Sequence, residues 1–146
     1  MADTKPTGVF SEVERAAMRQ RAKELAAEAK SVKTREEGEQ SILEAIAKMS
    51  EPDKSKAQRI NQLVKDTAPD LMPKTWYGFP SYANKEGKIV CFFQPGEKFG
   101  YRYATLGFQE DAHLDDGEMW PVAYAINKLT PVEEKQIVEL LKKAIS

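Results

Sequence analysis

Cysteine, histidine and long apolar runs are what this chain has least of. It contains one cysteine, Cys91, and one histidine, His113, in 146 residues. A single thiol cannot close an internal disulfide, which favours a reducing compartment. No window approaches 18 consecutive apolar residues, and the N-terminal segment lacks the apolar core of a signal peptide. We therefore expect a soluble cytoplasmic protein with no membrane-spanning helix.

The chain also lacks an excess of charge of either sign. Its 22 Lys and Arg residues face 23 Asp and Glu residues, so the formal net charge is −1. The balance holds locally, because residues 1–73 carry 13 basic and 13 acidic side chains. No global basic field exists to attract nucleic acid or anionic lipid. We expect neither nucleic acid nor a membrane as a partner.

Aromatic residues are almost missing from the first half, where Phe10 is the only one before residue 76. This half predicts three amphipathic helices, over residues 11–31, about 36–49 and 53–68. The second half is rich in aromatic residues and alternating patterns, and it ends in a helix that begins at Thr130. Its predicted strand segments are residues 75–80, 81–84, 88–94, 100–108 and 120–126.

This order of elements has no β-α-β alternation, so it indicates an α+β fold. We predict an antiparallel sheet of four to five strands with helices packed on one face. Cys91 and Phe93 should point to one side of the sheet and Phe92 to the other. Residues 1–35 are interpreted as a flexible lead and helical extension, and residues 36–146 as the α+β domain. A narrow stripe of Met18, Ala22, Leu25, Ala29 and Val32 is the predicted inner face of the first helix.

Four segments resemble the YdhG-like family of small bacterial proteins, a domain of unknown function. They are residues 74–82 (KTWYGFPSY), 90–94 (VCFFQ), 99–108 (FGYRYATLGF) and 114–121 (LDDGEMWP). The resemblance covers about residues 42–146 and leaves the first helix as an extension. It implies a frataxin-like fold, an antiparallel sheet with helices on one side. Some relatives are labelled iron chaperones by that analogy, but a fold does not carry a function.

The aromatic residues are the strongest candidates for a binding site. Tyr and Trp combine an apolar ring with a polar tip, which suits ligand pockets, and Arg102 is available for an anionic group. The predicted site residues on the partly open sheet face are Trp76, Tyr82, Tyr101, Arg102, Tyr103 and Trp120. The alternative interpretation is that these rings fill an ordinary core. We predict a domain that binds an unknown small molecule or protein partner, without a cofactor.

Two other functions remain open in the sequence. Residues 110–118 concentrate metal-type ligands, and Asp111, His113 and Asp115 form a weaker candidate set for frataxin-like iron handling. Residues 11–31 form a candidate helical interaction module. No catalytic constellation is evident, because Cys91 lies in a predicted buried strand and His113 has no identified partner. The protein is therefore more simply interpreted as a binding domain than as an enzyme.

Overall fold

The computed structural model describes residues 10–30 and 34–146, which form four α-helices and five β-strands. In chain order these are α1 (Glu12–Lys30), α2 (Arg35–Ala47), α3 (Asp53–Thr67), β1 (Met72–Trp76), β2 (Phe79–Ala83), β3 (Ile89–Gln94), β4 (Ala104–Phe108), β5 (Ala123–Ile126) and α4 (Pro131–Ala144). A single 3₁₀ turn, Glu97–Phe99, lies between β3 and β4. The predicted α+β class is confirmed.

Reciprocal side-chain caps explain where the helices begin. The Glu14 amide donates to Ser11 Oγ at 3.1 Å, and the Ser11 amide donates to the Glu14 carboxylate at 2.9 Å. The same arrangement, a capping box, begins α2 and α4 at the pairs Thr34–Glu37 and Thr130–Glu133. Each box satisfies backbone amides that have no partner within the helix. The boxes at Ser11 and Thr130 were predicted from the sequence.

The sheet is antiparallel, and each strand pairs with the next strand along the chain, in the order β1-β2-β3-β4-β5. Tyr77 and Gly78 make the two-residue turn between β1 and β2, with φ values of 54° and 84°. Positive φ at both central positions is typical of a type I′ turn, whose twist suits a tight hairpin. Residues 75–80 therefore reverse direction, whereas the sequence suggested one short edge strand or a bulge.

Helices α2, α3 and α4 cover one face of the sheet. Cys91 pairs with Phe108 and Phe93 pairs with Leu106, so these four side chains project from the same face. All four are buried in one cluster with Ile60 of α3 and other residues of the three helices. The predicted orientation of Cys91 and Phe93 is confirmed, and this side of the sheet forms the main hydrophobic core.

Helix α1 lies against the opposite face, at the end formed by β1, β2 and the 3₁₀ turn. Ala17 is 5% exposed and Glu24 is 6% exposed, whereas Met18 and Leu25 are 41% and 49% exposed. The predicted inner stripe is therefore wrong. Ala17 and Glu24 make the contact with the sheet instead. Ala17 is small enough for α1 to approach the sheet closely, and the Glu24 carboxylate is hydrogen-bonded to the Gly78 amide. Residues 31–33, which include Val32 of that stripe and part of the predicted linker, lie outside the described residues.

Candidate ligand-binding groove

Five aromatic side chains form a continuous cluster on the sheet face that α1 contacts. We call Trp76, Tyr77, Phe79, Phe92 and Phe99 the aromatic cluster. Their neighbouring ring centroids are 5.0 to 6.4 Å apart, and most pairs are tilted or edge-to-face. These are favourable geometries for aromatic rings, since the positive edge of one meets the negative face of another. The cluster is thus a defined surface that different elements build together.

Strand pairing and two special backbone positions place these rings. Trp76 pairs with Phe79 across the hairpin, and the type I′ turn puts Tyr77 beside them. Phe92 lies over Gly107 of β4, where an added Cβ atom would be only 2.2 Å from Phe92 Cζ. Gly107 therefore leaves the space that the Phe92 ring occupies.

A groove with a volume of ≈ 420 Å³ runs between this cluster and α1. The α1 side is formed by Phe10, Glu14, Ala17 and Met18, and the sheet side by Trp76, Tyr77, Phe79, Phe92, Gln94, Phe99 and Tyr101. Most of these side chains are apolar, and a few polar groups stand among them. This composition is typical of small-molecule sites.

Glu24 attaches α1 to the hairpin beside the groove. Its carboxylate accepts from the Gly78 amide at 3.3 Å and from Gln20 Nε2 at 3.4 Å. Arg21 Nη1 lies 3.4 Å from the other carboxylate oxygen. The nearly buried charge of Glu24 is thus compensated locally, as a buried carboxylate requires. These contacts determine the position of the α1 wall relative to the Tyr77–Gly78 turn.

Four of the six predicted site residues lie at or beside the groove. Trp76 and Tyr101 line it. Tyr103 stacks on Tyr101 with ring centroids 6.3 Å apart, and the Arg102 guanidinium lies 5.3 Å from the centre of the Tyr103 ring. Tyr101 and Tyr103 precede β4 instead of belonging to it. They extend the aromatic surface from the loop that follows the 3₁₀ turn.

The other two predicted site residues are placed elsewhere, and this corrects the prediction. Tyr82 is 2% exposed in the main core, where its hydroxyl donates to Asn61 Oδ1 at 2.8 Å. Burial raises the pKa of Tyr82 well above its usual value, with a smaller contribution from Cys91. Trp120 packs against the same core cluster and does not line the groove. Strand parity places Tyr82 on the helix-covered face, opposite Phe79.

Sequence reasoning did not assign Phe92, Phe99 or the α1 residues to the site. For Phe92 a signal was present, because alternation in β3 already assigned it to the face opposite Cys91. Phe99 lies in a 3₁₀ turn, which has no alternating pattern. The contribution of Ala17 and Glu24 had no signal, since neither residue type predicts a buried helix face.

The candidate metal ligands of residues 110–118 do not converge as a set of three. Asp111 accepts from Asn84 Nδ2 at 2.7 Å, His113 Nδ1 lies 2.8 Å from the Ser146 carbonyl oxygen, and Asp115 is exposed. Across residues 10–30 and 34–146, no three His, Cys, Asp or Glu side chains are arranged to hold a metal ion. The set Asp111, His113 and Asp115 is therefore not a preformed metal site: Asp111 and His113 line one cavity but bond to different partners, and Asp115 does not line that cavity.

Cys91 has the properties of a packing residue. It is fully buried, and burial raises the pKa of its thiol to about 12. The thiol is protonated at neutral pH, so it lacks the thiolate character that nucleophilic cysteines need.

Comparison of the chain with protein-family models, with curated proteins and with solved structures finds no match. The resemblance to the YdhG-like family and the frataxin-like description stay predictions. Within the described part of the chain, no helix has both the length and the hydropathy needed to cross a bilayer.

Proposed function

We propose that this protein is a binding domain for a flat, largely apolar small molecule, which occupies the groove between α1 and the aromatic cluster. The observation that carries the proposal is the convergence of six aromatic rings on one wall of a ≈ 420 Å³ groove. Three strands, the hairpin turn, the 3₁₀ turn and the loop after it contribute these rings. Ligand pockets of drug-sized molecules have volumes of about 300 to 1,000 Å³ and are lined mainly by such side chains.

Backbone conformation at the groove supports the same function. Tyr77 has a φ of 54°, a value that is uncommon for residues with a side chain. Such positions cost of order 1 kcal/mol and are concentrated at functional sites. A glycine would fit this turn position more easily, so the presence of tyrosine is explained if its ring takes part in binding.

The test uses the two tryptophans as internal probe and control. We expect 2-naphthamide, a neutral two-ring compound, to shift the indole N–H resonance of Trp76 in ¹⁵N-correlated NMR spectra. The Trp120 resonance should stay in place, since that indole packs on the main core. Trp76→Phe and Trp120→Phe assign the two signals. Shifts at Trp120 alone, or no shift at millimolar compound, would contradict the proposal.

A second candidate function is docking of a protein partner on α1, because this helix has apolar side chains on its outer surface. Val13 and Leu25 are 36% and 49% exposed, and neither lines the groove. Exposed apolar side chains that recur along one helix are typical of interaction surfaces. Sedimentation of the intact chain and of the Val13→Glu/Leu25→Glu variant tests self-association. If the intact chain and the variant both sediment as monomers, a second copy of this chain is not the partner.

We also propose a cytoplasmic location and membership of the YdhG-like family. The location is supported by the single, buried thiol, since the chain has no cysteine pair for an oxidising compartment to join. The family rests on the four sequence segments given above.

A further inference from the structure

A second cavity adjoins the aromatic groove and contains two lysines. Its volume is ≈ 460 Å³, and its charged lining residues are Lys48, Asp53, Glu97 and Lys98. The two spaces meet along consecutive residues: Gly78 and Lys98 line the cavity, whereas Tyr77 and Phe99 line the groove. The Lys98 ammonium lies 5.6 Å from the centre of the Phe99 ring. A group bound to this ammonium is therefore within reach of a molecule in the groove.

The acidic side chains around this cavity are all engaged by hydrogen-bond donors. Asp53 accepts from the Glu97 amide at 2.9 Å, and Glu97 accepts from Ser50 Oγ. Glu24, on the α1 side of Lys98, is held by the Gly78 amide and Arg21. The carboxylates thus have their charge stabilised within the protein.

The ammonium groups of Lys48 and Lys98 differ from these carboxylates in their contacts. Neither Lys48 nor Lys98 belongs to an ion pair among the described residues. Both lysines are exposed, and partial burial lowers the pKa of Lys98. The Lys48 charge lowers the pKa further, and Glu24 acts in the opposite direction. A positive charge that is partly desolvated and repelled by a second one is stabilised by a bound anion.

Gly78 leaves the Lys98 ammonium in this position. An added Cβ atom at residue 78 would lie 3.3 Å from Lys98 Nζ and 3.4 Å from Gln20 Cγ. The residue that donates its amide to Glu24 thus also keeps space open for the lysine head.

We propose that the ligand of the aromatic groove carries one anionic group, a carboxylate or a group of similar size, which binds Lys98 and is supported by Lys48. The inference rests on the proposed function of the groove and adds the chemical class of its ligand, an aromatic acid. Charge-assisted hydrogen bonds from an ammonium to a carboxylate are about twice as strong as neutral ones, so the anionic group selects among ligands of equal shape.

A matched pair of compounds tests this. 2-Naphthoate and 2-naphthamide share the ring system and the shape of the substituent but differ in charge. We expect the folded full-length protein to bind 2-naphthoate about tenfold more tightly than 2-naphthamide, a difference of roughly one charge-assisted contact. Lys98→Gln should abolish this preference. Lys128→Gln, an exposed lysine that does not line the cavity, is the control and should keep the preference.

The outcomes separate the two proposals. Equal binding of both compounds to the unaltered protein, or a preference that persists in Lys98→Gln, overturns the anion site and leaves the groove standing. Failure of both compounds to bind overturns the groove, and the anion site falls with it. Calorimetry gives the affinities, and the indole N–H shift of Trp76 shows that binding occurs in the groove.

Discussion

The close contact between Gly107 and Phe92 gives a strong prediction for Gly107→Ala. The new Cβ atom would lie 2.2, 2.6 and 2.9 Å from three atoms of the Phe92 ring. Carbon atoms in unstrained contact are about 3.6 Å apart, so the ring has to move by roughly 1.4 Å. Its neighbours Trp76 and Phe79, with centroids at 5.2 and 5.6 Å, stand in the way.

Overpacking of this kind costs about 1 to 3 kcal/mol. Alanine in place of glycine also lowers the entropy of the unfolded chain, which stabilises the folded state by about 0.4 to 1 kcal/mol. We therefore expect Gly107→Ala to lower the free energy of unfolding by about 0.5 to 2 kcal/mol. It should also weaken 2-naphthamide binding, because Phe92 is a wall of the groove.

Urea unfolding followed by tryptophan fluorescence measures the stability, and NMR titration measures binding. Thr105→Ala is the matched control, since Thr105 projects from the same face of β4 two residues earlier. It should leave binding unchanged. A Gly107→Ala protein with an unchanged or higher unfolding midpoint and normal binding would refute the packing argument for this face of the sheet.

Two further predictions concern the main core. Tyr82→Phe removes the hydroxyl that donates to Asn61, so it should lower the unfolding free energy by about 1 kcal/mol. The affinity for 2-naphthamide should not change, because Tyr82 does not line the groove. Weaker binding would show that Tyr82 contributes to the site. The pKa of Cys91 is raised on folding from 9.0 to about 12, so its contribution to stability is complete below pH 9 and is lost as the pH rises towards 12. Urea midpoints measured between pH 8 and 10 should fall with pH in the unaltered protein and fall less steeply in Cys91→Ala; parallel pH profiles would contradict this.

The sequence predicted the parts of the fold that depend on local rules. The serine and threonine caps at residues 11 and 130 satisfy backbone amides through side chains three positions away, so they are visible in the sequence. Alternation around Cys91 and Phe93 separates the two faces of β3. The α+β class followed from the order of these elements.

The site was predicted only in part, for reasons that differ among residues. All five residues of β2 are buried, so alternation of polarity does not reveal that Tyr82 faces the helices and Phe79 the groove. The contact face of α1 is set by a tertiary hydrogen bond from Gly78 to Glu24, which hydrophobic periodicity cannot predict. The hairpin turn at Tyr77 was missed because tyrosine is an unusual residue at positive φ.

The division of the sheet into two faces has a consequence for how this protein can change. In β3, consecutive side chains serve different purposes: Cys91 and Phe93 hold the interior together, while Phe92 shapes a surface. Substitutions at every second position can thus alter what the molecule recognises without disturbing its hydrophobic interior. The whole aromatic cluster lies within residues 76–99. A few substitutions in this one segment can therefore change which ligand the groove binds.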